Sequence, residues 1–250
     1  MSTTTATTTT TVIVTGSSSG IGLDVARAFL ARGAAVVLNG RDPQRLAEAA
    51  AGLGRPERVA AVAGSIGDAA TGEALVRAAV ERFGGVDVLV NNAGTFAPRP
   101  FTEVTERELD GYLTGNLKGT YLTTQAVVRR LREQGRGGSV VNIGTVLVDH
   151  ALTGFPASAP VVSKGGVHAL TVSLAAELAP ERIRVNLVAP GVVRTPLHGG
   201  VDVDAFGGVA LLNRVGEVDE IAEAVVYLAG AEFVTGHALR VDGGHVTGRS

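Results

Sequence analysis

The chain contains no cysteine, no tryptophan and a single methionine, and aromatic residues make up only 4% of its 250 positions, three of them tyrosine. Without cysteine there is no disulfide framework, no thiolate metal site and no cysteine nucleophile. A reducing, cytoplasmic setting suits that composition, and no metal site is expected. Neither sign of charge is in excess: 22 basic residues face 24 acidic ones, for a net charge of -2. That balance leaves no electrostatic footprint for nucleic acid or an anionic membrane. No apolar run approaches the roughly 18 to 20 residues needed to span a bilayer. The Thr-rich start (Thr3–Thr5, Thr7–Thr11) has neither the basic nor the apolar region of a secretory signal. Residues 1–10 read as a low-complexity tail, expected to be disordered.

What the chain does have is apolar material, 45% of it, enough for a large core and too much for overall disorder. Short β-rich runs at Val12–Thr15, Ala35–Asn39, Val59–Ala63, Val86–Asn91, Ser139–Ile143, Ile183–Val188 and Ala238–Val241 alternate with helical patterns. The helices are expected near 21–32, 43–53, 69–83, 105–134, 158–179 and 217–229. Most strand runs are continuously apolar, as strands buried on both faces of a parallel sheet must be. Thr105 with Glu108 forms a capping box, and Asp68 is placed to cap the helix at 69. With no linker or repeat, residues 11–250 form one α/β domain: a doubly wound, seven-stranded parallel sheet with helices on both faces.

The first strand runs into Thr15-Gly16-Ser17-Ser18-Ser19-Gly20-Ile21-Gly22, and a helix follows. Glycines there permit a tight turn, close backbone approach to a pyrophosphate and close helix–strand packing, while the helix N-terminus offers free N–H groups. Gly16, Ser18, Ser19, Gly20 and Ile21 are the candidate phosphate cradle of a dinucleotide site.

The Gly-x-x-x-Gly-x-Gly spacing resembles that of the short-chain dehydrogenase/reductase family in its single-domain form, which has the Rossmann fold. The resemblance continues through Asn91-Asn92-Ala93-Gly94, Asn116, Asn186 to Pro196, Asn213 to Glu217, Thr235-Gly236 and Val241 to Gly244. It implies an oxidoreductase that binds a nicotinamide cofactor and a small-molecule substrate and assembles as a homodimer or homotetramer. The long helices 105–134 and 158–179, with Ala169, Ala175, Ala176 and Ala179, would make the interface. It further implies cofactor contacts at Asn91, Ala93 and Gly94, and at Pro190, Gly191, Val193 and Thr195. At the end of the second strand, where an NAD-type site has a carboxylate, stand Asn39 and then Arg41, which favours NADP(H) over NAD(H). The alternative makes Asp42 the ribose ligand. Ser65 and Ile66 take the adenine-side position, where the family often has an Asp.

The family's chemistry is hydride transfer, with a Tyr as acid/base and a Lys four residues later that holds the nicotinamide ribose. A Ser polarises the substrate oxygen, and an Asn supports a relay water. Here Lys164 is present, Asn116 matches the Asn and Thr145 stands at the Ser position. Four residues before Lys164, however, is Pro160, which has no ionisable group. The loop between Thr145 and Pro160 is slightly long and carries Asp149 and His150, so His150 is a candidate replacement acid. Ser158, Ser163 and a desolvated Lys164 are the others. His168 and His198 read as surface or packing residues. A short Gly-rich segment, 195–212, is the expected substrate loop. Its apolar residues, with Phe96, Phe101 and Phe155, suggest an apolar pocket rim, and Arg99 and Arg194 are the residues available to an anionic substrate.

Two further readings keep the fold but change the function. One is a non-redox dehydratase, cyclase or isomerase using Asp149 and His150, and the other is a non-catalytic NADP-binding protein.

Overall fold

The computed structural model describes residues 9–248, so the expectation for the tail, apart from Thr9 and Thr10, lies outside the described residues. Seven strands form the sheet: β1 (Thr11–Val14), β2 (Ala35–Gly40), β3 (Val59–Ala63), β4 (Val88–Asn91), β5 (Gly138–Ile143), β6 (Ile183–Pro190) and β7 (Ala238–Val241). All are parallel, in the order β3-β2-β1-β4-β5-β6-β7. The chain reverses its direction of travel across the sheet between β1 and β4, and the crevice at their carboxyl ends is where such a sheet takes a ligand.

Strand side chains alternate between faces. Val12, Val14, Val36, Leu38, Val88 and Val90 pack against α1 (Gly20–Ala31), α2 (Pro43–Gly52) and α7 (Val218–Gly230). Ile13, Val37, Leu89, Val140 and Val185 pack on the other face, against α3 (Ala69–Phe83), α5 (Gly119–Gln134) and α6 (Ser158–Leu178). At about 1.5–3 kcal/mol per fully buried aliphatic side chain, these two layers hold the strand ends in place beneath the loops.

Local signals explain most boundaries. The Thr105–Glu108 capping box starts α4 (Glu106–Tyr112) with both of its hydrogen bonds, and Gly84 ends α3 in the left-handed conformation at φ 86. Three expectations need correction. Asp68 occupies the N-cap of α3 but makes no side-chain cap bond. Ala157, not Ser158, is the N-cap of α6, which places Ser158 inside the helix. The expected helix 105–134 is α4 and α5 joined by a π-helical turn, Leu113–Lys118. A short α8 (His245–Gly248) follows β7.

Candidate active site

The turn after β1 is built around Gly16 and Gly20, both at positive φ (61 and 57). A Cβ on Gly16 would stand 2.6 Å from the Cα of Ala93, so the turn and the segment after β4 touch backbone to backbone. Thr15 and Asn92 fasten that contact. The Thr15 hydroxyl accepts from the N–H groups of Asn92 (3.0 Å) and Ala93 (3.1 Å). The Asn92 amide donates to the carbonyls of Thr15 (3.0 Å) and Gly16 (2.9 Å). Ser17 ties the turn to β2: its hydroxyl donates to the Val14 carbonyl at 2.8 Å and accepts from the Asn39 N–H at 3.0 Å. Across the crevice, a Cβ on Gly20 would reach within 3.7 Å of Thr195, the residue that opens the substrate loop.

At the end of β2, the Asn39 amide donates to the carbonyls of Val62 and Gly64, both at 3.1 Å, and so bridges to β3. Arg41 is exposed, and the Ser18 hydroxyl lies 3.2 Å from where a Cβ on Gly40 would stand. One carboxylate oxygen of Asp42 accepts from the N–H groups of Gln44 (2.9 Å) and Arg45 (3.1 Å), capping α2. Ser65 accepts from the Gly67 N–H at 3.3 Å. Ile66 is buried against Gly119, where a Cβ would come within 2.6 Å of it.

A third cluster gathers at the carboxyl ends of β4 and β5. Asn116, fully buried in the π turn, accepts from the Thr95 N–H (2.9 Å) and donates to the Thr95 carbonyl (3.0 Å) and the Ser163 hydroxyl (2.9 Å). The Ser163 hydroxyl in turn donates to the Pro160 carbonyl at 2.7 Å. Lys164 is buried and its Nζ donates to the Ile143 carbonyl at 2.7 Å. A Cβ on Gly94 would stand 3.0 Å from Asn116 Oδ1 and 3.3 Å from Lys164 Nζ, so that glycine lets the backbone reach both. At the mouth of β4, Asn91 belongs to a buried chain: its amide donates to Thr124 (2.8 Å) and Asn142 (2.9 Å), and Asn142 donates to Thr171 (2.8 Å).

Residues 16–246 match the family model described as enoyl-(acyl carrier protein) reductase. An L-rhamnose 1-dehydrogenase (NAD(P)(+)) from Azotobacter vinelandii is 41% identical over 248 residues, covering 92% of this chain and 94% of that protein. A 3-oxoacyl-[acyl-carrier-protein] reductase from Thermotoga maritima is 34% identical over 241 residues, 93% of this chain and 96% of that protein. A crystal structure of a short-chain type dehydrogenase/reductase from Mycobacterium marinum superimposes with a TM-score of 0.91 at 29% identity, covering 96% of each chain. This chain belongs to the short-chain dehydrogenase/reductase family. It is an oxidoreductase of that kind, in a family that uses nicotinamide cofactors.

Against the pattern of a short-chain dehydrogenase/reductase, the position one turn before Lys164 stands out. Pro160 is the third residue of α6, where its missing N–H costs no intrahelical bond. The three tyrosines stand on other elements. The Tyr112 hydroxyl donates to the Ala97 carbonyl at 3.2 Å, and Tyr121 and Tyr227 lie on exposed faces. The Asp149–His150 pair also divides. Asp149 forms an ion pair with Arg240 at 2.8 Å, and the His150 ring meets that of His245 edge-on, 5.7 Å between centroids. Thr145 caps the turn Val146–Val148, accepting from the Leu147 N–H at 3.3 Å.

Three separate segments of this short-chain dehydrogenase/reductase contribute one phenylalanine each to an aromatic cluster. Phe96 stacks on Phe155 with centroids 6.2 Å apart, and Phe206 meets Phe155 edge-on at 6.4 Å. Phe101, expected at the same rim, is instead 78% exposed. Both arginines considered for an anionic substrate are paired, Arg99 with Glu108 and Arg194 with Asp204 and Glu217. Within 190–195, Val193 bridges Gly216, and Gly191 packs so close to Asp242 that a Cβ would fall 2.9 Å from its Cα. His198 bonds the Val193 carbonyl at 2.9 Å.

Burial alone lowers the Lys164 ammonium from 10.5 to about 8. Between those values the unfolded chain keeps a proton that the folded site has released, so stability contributed by this position rises with pH across that window. Lys164→Met is therefore expected to stabilise the fold at pH 7 by about 1–2 kcal/mol, after the lost bond to Ile143 is counted. The advantage should fade toward pH 10.5. Urea unfolding of both proteins at a series of pH values measures it.

Sequence reasoning missed the Ser17 and Thr15 fastenings, the Ser163–Asn116 bond and the π turn. Ser and Thr in a glycine-rich turn are a visible signal for the first two. The π turn has no comparable signature.

Proposed function

We propose that this chain is an NADP(H)-dependent oxidoreductase acting on a small, apolar carbonyl or imine compound, with a proton donor other than tyrosine. The observation that carries the reading is the convergence of Gly94, Asn116, Ser163 and Lys164 beside the glycine turn at the switch point of the sheet. The residues fit a dinucleotide. Gly16 to Ile21 would cradle the pyrophosphate, with Gly16 letting the turn pack on the Ala93 backbone; Ser18 and Arg41 would meet a 2′-phosphate, and Asn39, tied to β3, puts no carboxylate there to repel one. Ser65 and Ile66 would take the adenine side, Asn91, Ala93, Gly94 and Lys164 the nicotinamide ribose, and Pro190, Gly191, Val193 and Thr195 the nicotinamide.

When bound, the cofactor supplies or accepts hydride. The chain's own residues orient and shield. The Thr145 hydroxyl would donate to a carbonyl oxygen or accept from the N–H of an iminium, Asn116 fixes the loop at Thr95, and Phe96, Phe155 and Phe206 would exclude water from an apolar wall. An imine fits because a protonated iminium needs no acid after reduction. With Asp149 held by Arg240, a non-redox reaction run by an Asp149–His150 pair loses its support. A second copy of the chain would cover the exposed Tyr121, Val162 and Val172 on α5 and α6. Of the alanines expected at that interface, Ala169, Ala176 and Ala179 are exposed and Ala175 is buried in its own core.

The test is NADPH oxidation against a panel of apolar ketones, aldehydes and cyclic imines. Substrate-dependent oxidation supports the reading, and silence across the panel with intact NADPH binding would favour a non-catalytic NADP-binding protein.

A further inference from the structure

We propose that the Lys164 ammonium is itself the proton donor to the reacting oxygen, a role that rests on the oxidoreductase reading above. Pro160 and Lys164 are four residues apart on α6 and share a face, and helical side chains lean toward the N-terminus. The lysine stem is therefore directed toward the turn that carries Pro160, whose ring brings no polar group to compete with the ammonium. One N–H is spent on the Ile143 carbonyl at 2.7 Å. The absence of a side chain on Gly94 keeps the other flank of Nζ open, since a Cβ there would stand 3.3 Å from it.

The remaining candidates have been drawn off by other partners. Asp149 pairs with Arg240, His150 packs on His245, Tyr112 bonds the Ala97 carbonyl, and Tyr121 and Tyr227 are exposed. The Ser163 hydroxyl is committed to the Pro160 carbonyl, and its ordinary acidity is far too weak for the task. Among the described residues, no charged side chain from β6, α4, α5, the π turn or the turn Val146–Val148 perturbs Lys164. Burial is the one cause of its lowered pKa, about 8, near the range in which a general acid works best.

In the step, a bound reduced nicotinamide would give up hydride from its ring C–H bond and be oxidised, a C–H bond would form at the carbonyl carbon, and the C=O π pair would become a lone pair on oxygen. The Nζ–H bond then breaks toward that oxygen, giving an O–H and a neutral amine, and the amine recovers its proton from water.

The chain has two lysines, Lys118 and Lys164, so protein labelled with ε-13C-lysine yields two side-chain signals. In the cofactor-free protein one is expected to titrate near pH 8 and to be missing from Lys164→Arg. Ketone reduction by the full-length enzyme should fall about tenfold per pH unit above the same value. Lys164→Arg keeps the positive charge but holds its proton, so it should lose that alkaline limb and about 10²–10⁴-fold in kcat. A Lys164 signal that titrates only near pH 10, or an alkaline limb that survives in Lys164→Arg and disappears in His150→Ala, would overturn the assignment while leaving the oxidoreductase reading standing. Absence of any NADPH turnover across the substrate panel would remove both.

Discussion

Valine in place of Gly16 is expected to abolish measurable NADP(H) binding and to destabilise the fold. Gly16 sits at φ 61, a left-handed conformation that costs an L-residue about 1–2 kcal/mol and is worst for a β-branched one. Its virtual Cβ falls 2.6 Å from the Cα of Ala93, and both partners are backbone, so neither can swing away as a side-chain tip could. Relief requires the turn to part from the segment after β4, which breaks the bonds from Asn92 and Ala93 to Thr15. Overpacking of this kind adds about 1–3 kcal/mol. Because those two segments form the floor of the proposed cofactor site, affinity should fall by at least ~10³-fold, about 4 kcal/mol. Calorimetric titration with NADPH and urea unfolding of the same sample measure the two effects separately. A Gly16→Val protein that binds within about threefold of the parent would show that the cofactor lies elsewhere.

The second large effect concerns cofactor choice. Arg41→Ala is expected to weaken NADPH binding roughly 30- to 1000-fold and to leave NADH nearly unchanged. A guanidinium bound bidentately to a phosphate through charge-assisted bonds is worth about 2–4 kcal/mol. Only the 2′-phosphate is present in one cofactor and absent from the other. Salt should erode the difference, since Arg41 is exposed and its charge is screened. An equal loss for both cofactors would make Arg41 a general contact and return the ribose to Asp42, whose second carboxylate oxygen takes no part in the helix cap. Binding of both cofactors at two ionic strengths, in parent and variant, distinguishes these outcomes.

The sheet was legible because apolar runs bounded by helical periods have one economical solution in a chain of this length. Val59–Ala63 and Ala238–Val241 are strands with the bounds their composition implies. The capping box at Thr105 was equally readable, since both of its partners lie within one turn. Asp68 was not, because a residue type suited to capping does not fix where its carboxylate turns. The same gap separates composition from aim in the site. Gly16 was recognisable from the glycine spacing and Asn116 and Lys164 from the family resemblance, and the structure brings them to one end of the sheet. His150 also had the right chemistry, but the C-terminal helix that places His245 beside it lies 95 positions away and leaves no local trace. Phe96, Phe155 and Phe206 stand on three separate loops, so their stacking is a product of tertiary placement alone.

The claim at the centre of this account is that reduction proceeds without a phenol, and the chain's three tyrosines make it directly testable. The decisive measurement is the rate of NADPH-dependent ketone reduction in a Tyr112→Phe, Tyr121→Phe, Tyr227→Phe triple variant, which removes every phenolic hydroxyl from the chain and from any partner copy. The account predicts a kcat within about threefold of the parent, because no phenol takes part in proton transfer; a loss of the ~10²–10⁴-fold that a general acid supplies would contradict it.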